Sequence, residues 1–298
     1  MMLLPLAAWK SNGQIPLPRA GCAVAALGTE IFLAGGTYWA EGRKHWVDTA
    51  DRFDPATGRW VSLPPVPRLA GDTVGVACRG ELVVIGGGGE TEGSRDVWAS
   101  SGGAWRAWPS LPAARRTVGA GVIRDAVYVV GGLAGQGTDY ASATRTLWRC
   151  PGTGGWEERA PLPGPARFVS SVTAVGDCLV VAGGCVPDGA GVRNLDEILC
   201  YDARTDQWSR IGTLPRPCRA MGGLAHDGRV LWFGGYADAF VDDILACDLA
   251  TGVVSTVGRL PKPVADLRPV RIGGDVLALC GEDGMKLRYA DCVRAPLG

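Results

Sequence analysis

Short apolar runs recur along the chain, and five of them stop at a pair of glycines. The runs read IFLAGG, LVVIGGGG, VYVVGG, LVVAGG and VLWFGG, with the pairs at 35–36, 86–87, 131–132, 183–184 and 234–235. Runs of this length, rich in β-branched residues and bounded by turn formers, predict buried strands rather than helices. A sixth site follows at Gly281, where the next residue is Glu282, so the reading puts a carboxylate in the place of the second glycine. Leu-Pro recurs in step, at 17–18, 63–64, 111–112, 162–163, 214–215 and 260–261. A tryptophan precedes most of these pairs (Trp9, Trp60, Trp105, Trp156, Trp208), and Gly252 to Val254 stands where the fifth repeat lacks one.

Each unit predicts four strands, a to d. A short apolar stretch comes first, then the run that ends on the glycines. Turns such as Asp54 to Trp60 and Asp202 to Trp208 join two further strands. Self-similarity near 50 residues with four strands per unit is the signature of a propeller blade. The chain resembles the kelch repeats, which implies an all-β, six-bladed kelch-type β-propeller with four antiparallel strands per blade. The blades are expected near 19–64, 68–112, 115–163, 167–215, 216–261 and 265–298, the last completed by residues 1–18, in a single domain spanning 1–298. The segment from Trp9 to Pro18 carries the marks of strand d, so it is expected to close the sixth blade and remove an open sheet edge.

Composition narrows the function. Hydrophobic residues make up 47%, enough for a large core, and 30 basic residues balance 30 acidic ones. No basic stretch stands out, so a nucleic-acid partner has no electrostatic basis. No apolar stretch is long enough to span a membrane. The start, MMLLPLAAWK, lacks the basic and long apolar regions of an export signal. Ten scattered cysteines with no C-x-x-C pair read as small buried hydrophobes in a reducing compartment, which points to a cytoplasmic location. With only His45 and His226 and no clustered ligand spacing, no metal site and no cofactor are expected.

Strand alternation puts the starts of strands a, the ends of strands b and the ends of strands d on one face. The d–a connections there carry Arg19, Arg68, Arg115, Arg167, Arg219 and Arg268. These either stand around the channel mouth and favour an anionic ligand held bidentately, or are solvated or bonded to nearby carbonyls; Arg68 and Arg268 do not hold the same offset from their glycines, so a perfect ring is not expected. The b–c loops on this face mix aromatic and charged groups, as in Thr37 to Trp46 (TYWAEGRKHW), a composition that suits a sugar. Glu282 and Arg288 lie in the sixth such loop. A glutamate can move protons if burial raises its pKa, whereas arginine can only clamp or stabilise charge. A plain ion pair capping the blade is the other reading of the same spacing.

The stretch Gly281-Glu282 to Leu287-Arg288 resembles the catalytic loop of the bacterial kelch-type sialic acid (N-acetylneuraminate) mutarotases, also called epimerases. In that family the next two blades contribute adjacent basic residues and a Gly-Gly-Glu. Here Arg43 and Lys44 stand in the next blade of the ring, and Gly89-Glu90 in the one after. The chain therefore looks like a circularly permuted relative. The resemblance implies an isomerase that interconverts anomers of an acidic sugar by acid/base ring opening, without a cofactor. Glu282 would be the acid/base and Arg288 the clamp. Arg19, Arg43, Lys44, Glu90, Arg167 and Arg219 would contact substrate, with His45 as an alternative proton carrier. The alternative is a non-catalytic kelch module that binds an acidic peptide, protein or carbohydrate on the loop face, since the fold alone does not choose.

Overall fold

In the computed structural model, which describes residues 8–135 and 137–297, six four-stranded antiparallel sheets stand around a central channel. The innermost strands are Ala23–Leu27, Val74–Cys78, Gly119–Ile123, Ser171–Val175, Gly222–His226 and Arg268–Ile272. Each packs against the next, and the last packs against the first, which closes the ring. In the sixth sheet Lys10–Gln14 pairs with Asp291–Pro296 as the outermost strand, Lys10 facing Arg294 and Ser11 facing Val293. The N-terminal strand thus closes the sixth blade as the repeat phase predicts.

There is no single central core. Buried side chains form one wedge between each pair of neighbouring blades. One wedge joins Val24, Ile31, Leu33 and Phe53 of blade one to Val270, Leu277 and Leu279 of blade six. Each sheet is apolar on both faces, which explains the continuous apolar runs in the sequence. The recurring tryptophan also joins blades. The indole N–H groups of Trp105, Trp156 and Trp208 donate to the carbonyls of Pro64, Pro109 and Ala160 of the preceding blade, at 2.8, 2.8 and 2.7 Å.

The glycine pairs have a specific task. The second glycine of each pair donates its N–H to a carbonyl in the next blade: Gly36 to Ala70, Gly87 to Arg115, Gly132 to Arg167, Gly184 to Cys218 and Gly235 to Val264, at 2.8–3.0 Å. In blade six the bond is Gly281 to Arg19 at 2.9 Å. So Gly281 is the second residue of its pair, and Cys280 is the first. Cys280 has φ +62°, matching Gly35 at +64° and Gly131 at +66°. The sequence reading placed Glu282 one residue too early. Its structural counterparts are Thr37, Gly88, Leu133, Cys185 and Tyr236, which follow the pair and bridge back to the d–a connection of their own blade.

Candidate functional site

That one-residue difference decides where the carboxylate goes. The residue after the pair sits at the channel mouth, where a cavity of about 270 Å³ opens. Glu282 lines it, with Asp72, Asp266, Arg219, Arg268 and Tyr236. Glu282 and Arg288 face each other across the short hairpin formed by Glu282–Gly284 and Leu287–Arg288. Their side chains meet at 2.7 Å between Oε1 and Nη1, with Glu282 34% exposed and Arg288 only 6%. Arg288 is held from behind by blade one: its Nε donates to the Thr37 carbonyl at 3.0 Å and its Nη2 to Thr37 Oγ1 at 3.2 Å. The guanidinium is thus a fixed backing for a partly open carboxylate.

Burial raises the Glu282 pKa above the ordinary carboxylate range, and the nearby charges of Asp266 and Asp72 add to this, while Arg288 and Lys44 oppose it. The two aspartates are themselves engaged. Asp72 accepts from Lys44 Nζ at 2.8 and 3.0 Å. Asp266 accepts the Gly21 N–H at 2.5 Å and pairs with Arg268 at 2.9 Å. Both aspartates have left-handed backbone (φ +55° and +56°), a region that short polar side chains tolerate well. In the neighbouring blade five, the Arg219 guanidinium lies over the Tyr236 ring at 4.4 Å and donates to Asn194 Oδ1 at 2.7 Å.

The six arginines form no ring, in keeping with the unequal offsets of Arg68 and Arg268. The bridges of the d–a connections to the residues after the glycine pairs show why: the six arginines occupy different structural positions. Arg19, Arg115 and Arg167 are equivalent, each supplying the carbonyl that caps a glycine, while Arg219 lies one residue further on and Arg268 in strand a. Arg19 and Arg167, proposed from the sequence as substrate contacts, are 1% exposed and turned into the blades. Arg19 donates to the Gly35 carbonyl and to Thr49 Oγ1, and pairs with Asp51 at 2.8 Å; Arg167 pairs with Glu197 at 2.6 Å. They tie strand c to the connection and leave no surface for a ligand. Arg68 pairs with Asp96 at 2.8 Å. The mouth therefore presents three carboxylates and two guanidiniums rather than a cationic ring.

The remaining candidates spread along the rim. Lys44 is spent on Asp72, and His45 stacks on Tyr38 at 4.8 Å with the rings 16° apart. Arg43 is exposed at the far end of the blade-one hairpin, and Glu90 is exposed in the blade-two loop; neither lines the cavity. Asp72, Asp266 and Asn194 escaped the sequence reading. The first two occupy the position of Gly21, and a repeat alignment anchored on strand b would have put both beside the channel. Among the described residues no cluster of His, Cys, Asp and Glu is arranged to hold a metal ion, and no helix is long and apolar enough to cross a membrane.

The fold, the closed ring and the glycine-capping pattern define a kelch-repeat β-propeller, and comparison with known proteins agrees. The Kelch motif matches residues 18–67 and 169–215. The chain is 30% identical over 221 residues to human Kelch-like protein 34, covering 70% of this chain and 33% of that protein. It is 28% identical to Kelch-like protein 36 of Bos taurus, covering 77% and 38%. It is 26% identical to Kelch-like protein terF of Aspergillus terreus, covering 76% and 52%. The chain thus spans a third to about half the length of these relatives. A solved structure titled "Structure of YjhT" superposes with a TM-score of 0.78 at 15% identity, covering 95% of this chain and 96% of that one, which is agreement of fold.

Proposed function

We propose that the channel mouth is an acid/base site that interconverts the anomers of N-acetylneuraminate or a similar acidic sugar. The observation that carries this reading is Glu282: a carboxylate that lines a sugar-sized cavity, is backed by a fixed guanidinium and has its pKa raised by burial. Such a group takes a proton from an anomeric hydroxyl and returns one to the ring oxygen or the reclosing hemiketal. Ring opening, rotation about the exposed carbon–carbon bond and reclosure then change the anomer with no net oxidation and no cofactor. Arg288 stabilises the carboxylate between transfers. With Arg19 and Arg167 buried, the substrate carboxylate falls to Arg219, a cavity-lining guanidinium of the neighbouring blade five whose planar fork is pre-set on Tyr236. The resemblance of the Glu282 to Arg288 stretch to the sialic acid mutarotases supports the substrate class. The ten thiols, eight of them buried, fit work in a reducing compartment such as the cytoplasm.

The test is equilibration of a freshly dissolved single anomer of N-acetylneuraminate, followed by NMR. The wild-type protein is expected to speed it, and Glu282→Gln to lower the catalysed rate by about 10²-fold or more, the usual worth of a positioned acid/base. A wild-type rate equal to that of buffer removes this substrate. A second reading, a non-catalytic module that binds an acidic peptide or protein, draws on Met285 and Leu287, which are 76% and 61% exposed on the blade-six hairpin. It is favoured if the buffer rate is unchanged and Met285→Ser with Leu287→Ser abolishes binding of a polyglutamate peptide.

A further inference from the structure

A second charged cavity, of about 260 Å³, lies between blades three and four and opens toward the face opposite the mouth. Its position follows from the topology: Arg124 is in the a–b turn of blade three and Arg204 in the c–d turn of blade four, and both turns lie at the strand ends remote from the glycine pairs. Four guanidiniums line it, those of Arg124, Arg149, Arg159 and Arg204, together with Tyr128. Among the described residues no carboxylate lines it. The compensating acids stand to the side. Arg124 pairs with Asp177 at 2.6 Å, Arg149 with Glu157 at 2.8 Å and Arg204 with Asp202 at 2.9 Å. Arg159 pairs with Asp206 at 3.4 Å and donates to the Tyr201 hydroxyl at 3.2 Å, which is itself bonded to Asp206 at 2.7 Å.

These pairs fix the side chains without exhausting them. Each guanidinium carries five N–H donors. Arg124 and Arg149 each use one nitrogen on their carboxylate, so the remaining donors are left for the cavity. Cross-strand pairing sets Arg149 beside Tyr128, which gives the pocket an aromatic wall next to its cations. Arg149 and Arg159 are held at 29% and 28% exposure, partly withdrawn from water, where a charge-assisted bond is stronger than on an open surface.

We propose that this groove binds a small, multiply charged phosphate-bearing anion, held by the forks of Arg149 and Arg159 and closed over by Arg124 and Arg204. A phosphate group accepts several bidentate guanidinium contacts at once, and a second phosphate or a short organic body fills the space along Tyr128. The site is separate from the channel mouth and does not depend on what the mouth binds.

Inorganic pyrophosphate is the probe, titrated calorimetrically at constant ionic strength. The wild-type protein is expected to bind it at one site. Arg149→Gln and Arg159→Gln are each expected to weaken binding at least about tenfold, whereas Glu282→Gln leaves it unchanged. Arg124→Gln, at a 70% exposed turn where folding is indifferent to the change, should weaken it measurably and serves if the other two variants are poorly folded. Absence of heat with the wild-type protein overturns the proposal, as does equal affinity in the well-folded arginine variants. Loss of binding in Glu282→Gln alone would place the anion at the mouth and overturn it equally.

Discussion

The two charged cavities are built from the same kinds of side chain, mixed in the lining of one and sorted in the other. At the mouth, Asp72, Asp266 and Glu282 line the space together with Arg219 and Arg268, while Lys44 and Arg288 bind Asp72 and Glu282 from outside it. In the groove between blades three and four, guanidiniums line the space and the acids stand behind. A count of ion pairs would call both neutral. What differs is which partner is withdrawn into protein bonds and which keeps free valences toward the cavity. The Glu282 carboxylate is left part-desolvated beside two other acids, which favours its neutral form and suits proton transfer. The groove arginines cannot lose their charge at any ordinary pH, so they suit holding an anion and not moving protons.

The largest effect that would break this contrast lies in the backbone under Glu282. Gly281 has φ +112°, and an added Cβ would stand 2.4 Å from the Ala265 carbonyl. Gly281→Ala is expected to destabilise the protein by about 3 kcal/mol, combining the left-handed penalty with overpacking, as read from urea unfolding. It should also release the Glu282 hairpin while leaving pyrophosphate binding in the groove intact. A variant as stable as the wild type would mean that the turn does not fix the carboxylate. Next in size is the counter-ion. Arg288 holds the Glu282 pKa down against burial, so Arg288→Met should push it further up. Proton abstraction needs the carboxylate form, so the catalysed rate falls as pH drops through the Glu282 pKa. The variant's profile should shift to higher pH. An unmoved midpoint would assign the titration to another group.

How much of this could be read from the sequence depended on whether a feature repeats. The glycine pairs, Leu-Pro and tryptophans recur because every blade must cap, turn and latch onto its neighbour in the same way, so strand order and ring closure were legible. The meeting of Glu282 with Arg288 was legible too, since a short hairpin after strand b brings its two ends together. The unequal offsets of Arg68 and Arg268 already spoke against a perfect ring, but which of the other arginines reach the mouth was not legible, because arginine marks the connections at several different offsets. Register there is set by which residue offers its carbonyl to the neighbouring glycine, and not by residue type. The glycine pair of blade six was misread for a related reason. Cys280 keeps the left-handed backbone of the first glycine, so the motif survived in shape while its letters changed. The apolar run VLALCG, set beside IFLAGG, carries the correct register. The groove was invisible because its four arginines come from different strands and turns of two blades.

The smallest expected effect tests whether the groove owes its walls to the latch between those two blades. The Trp208 indole N–H donates to the Ala160 carbonyl at 2.7 Å, next to Arg159, and the ring packs on Tyr201 at 5.2 Å between centroids. Trp208→Phe keeps an aromatic ring and removes the donor, leaving a carbonyl short of one partner. The expected loss is about 1 kcal/mol of stability, the net worth of one such bond. Because Tyr201 orients Arg159, a looser ring should also weaken pyrophosphate binding slightly, by less than the loss in Arg159→Gln. The catalysed anomer rate at the mouth should stay at its wild-type value. If the rate falls with Trp208→Phe, the two cavities are coupled through the ring of strands a, and their charges have to be treated as one electrostatic system rather than two.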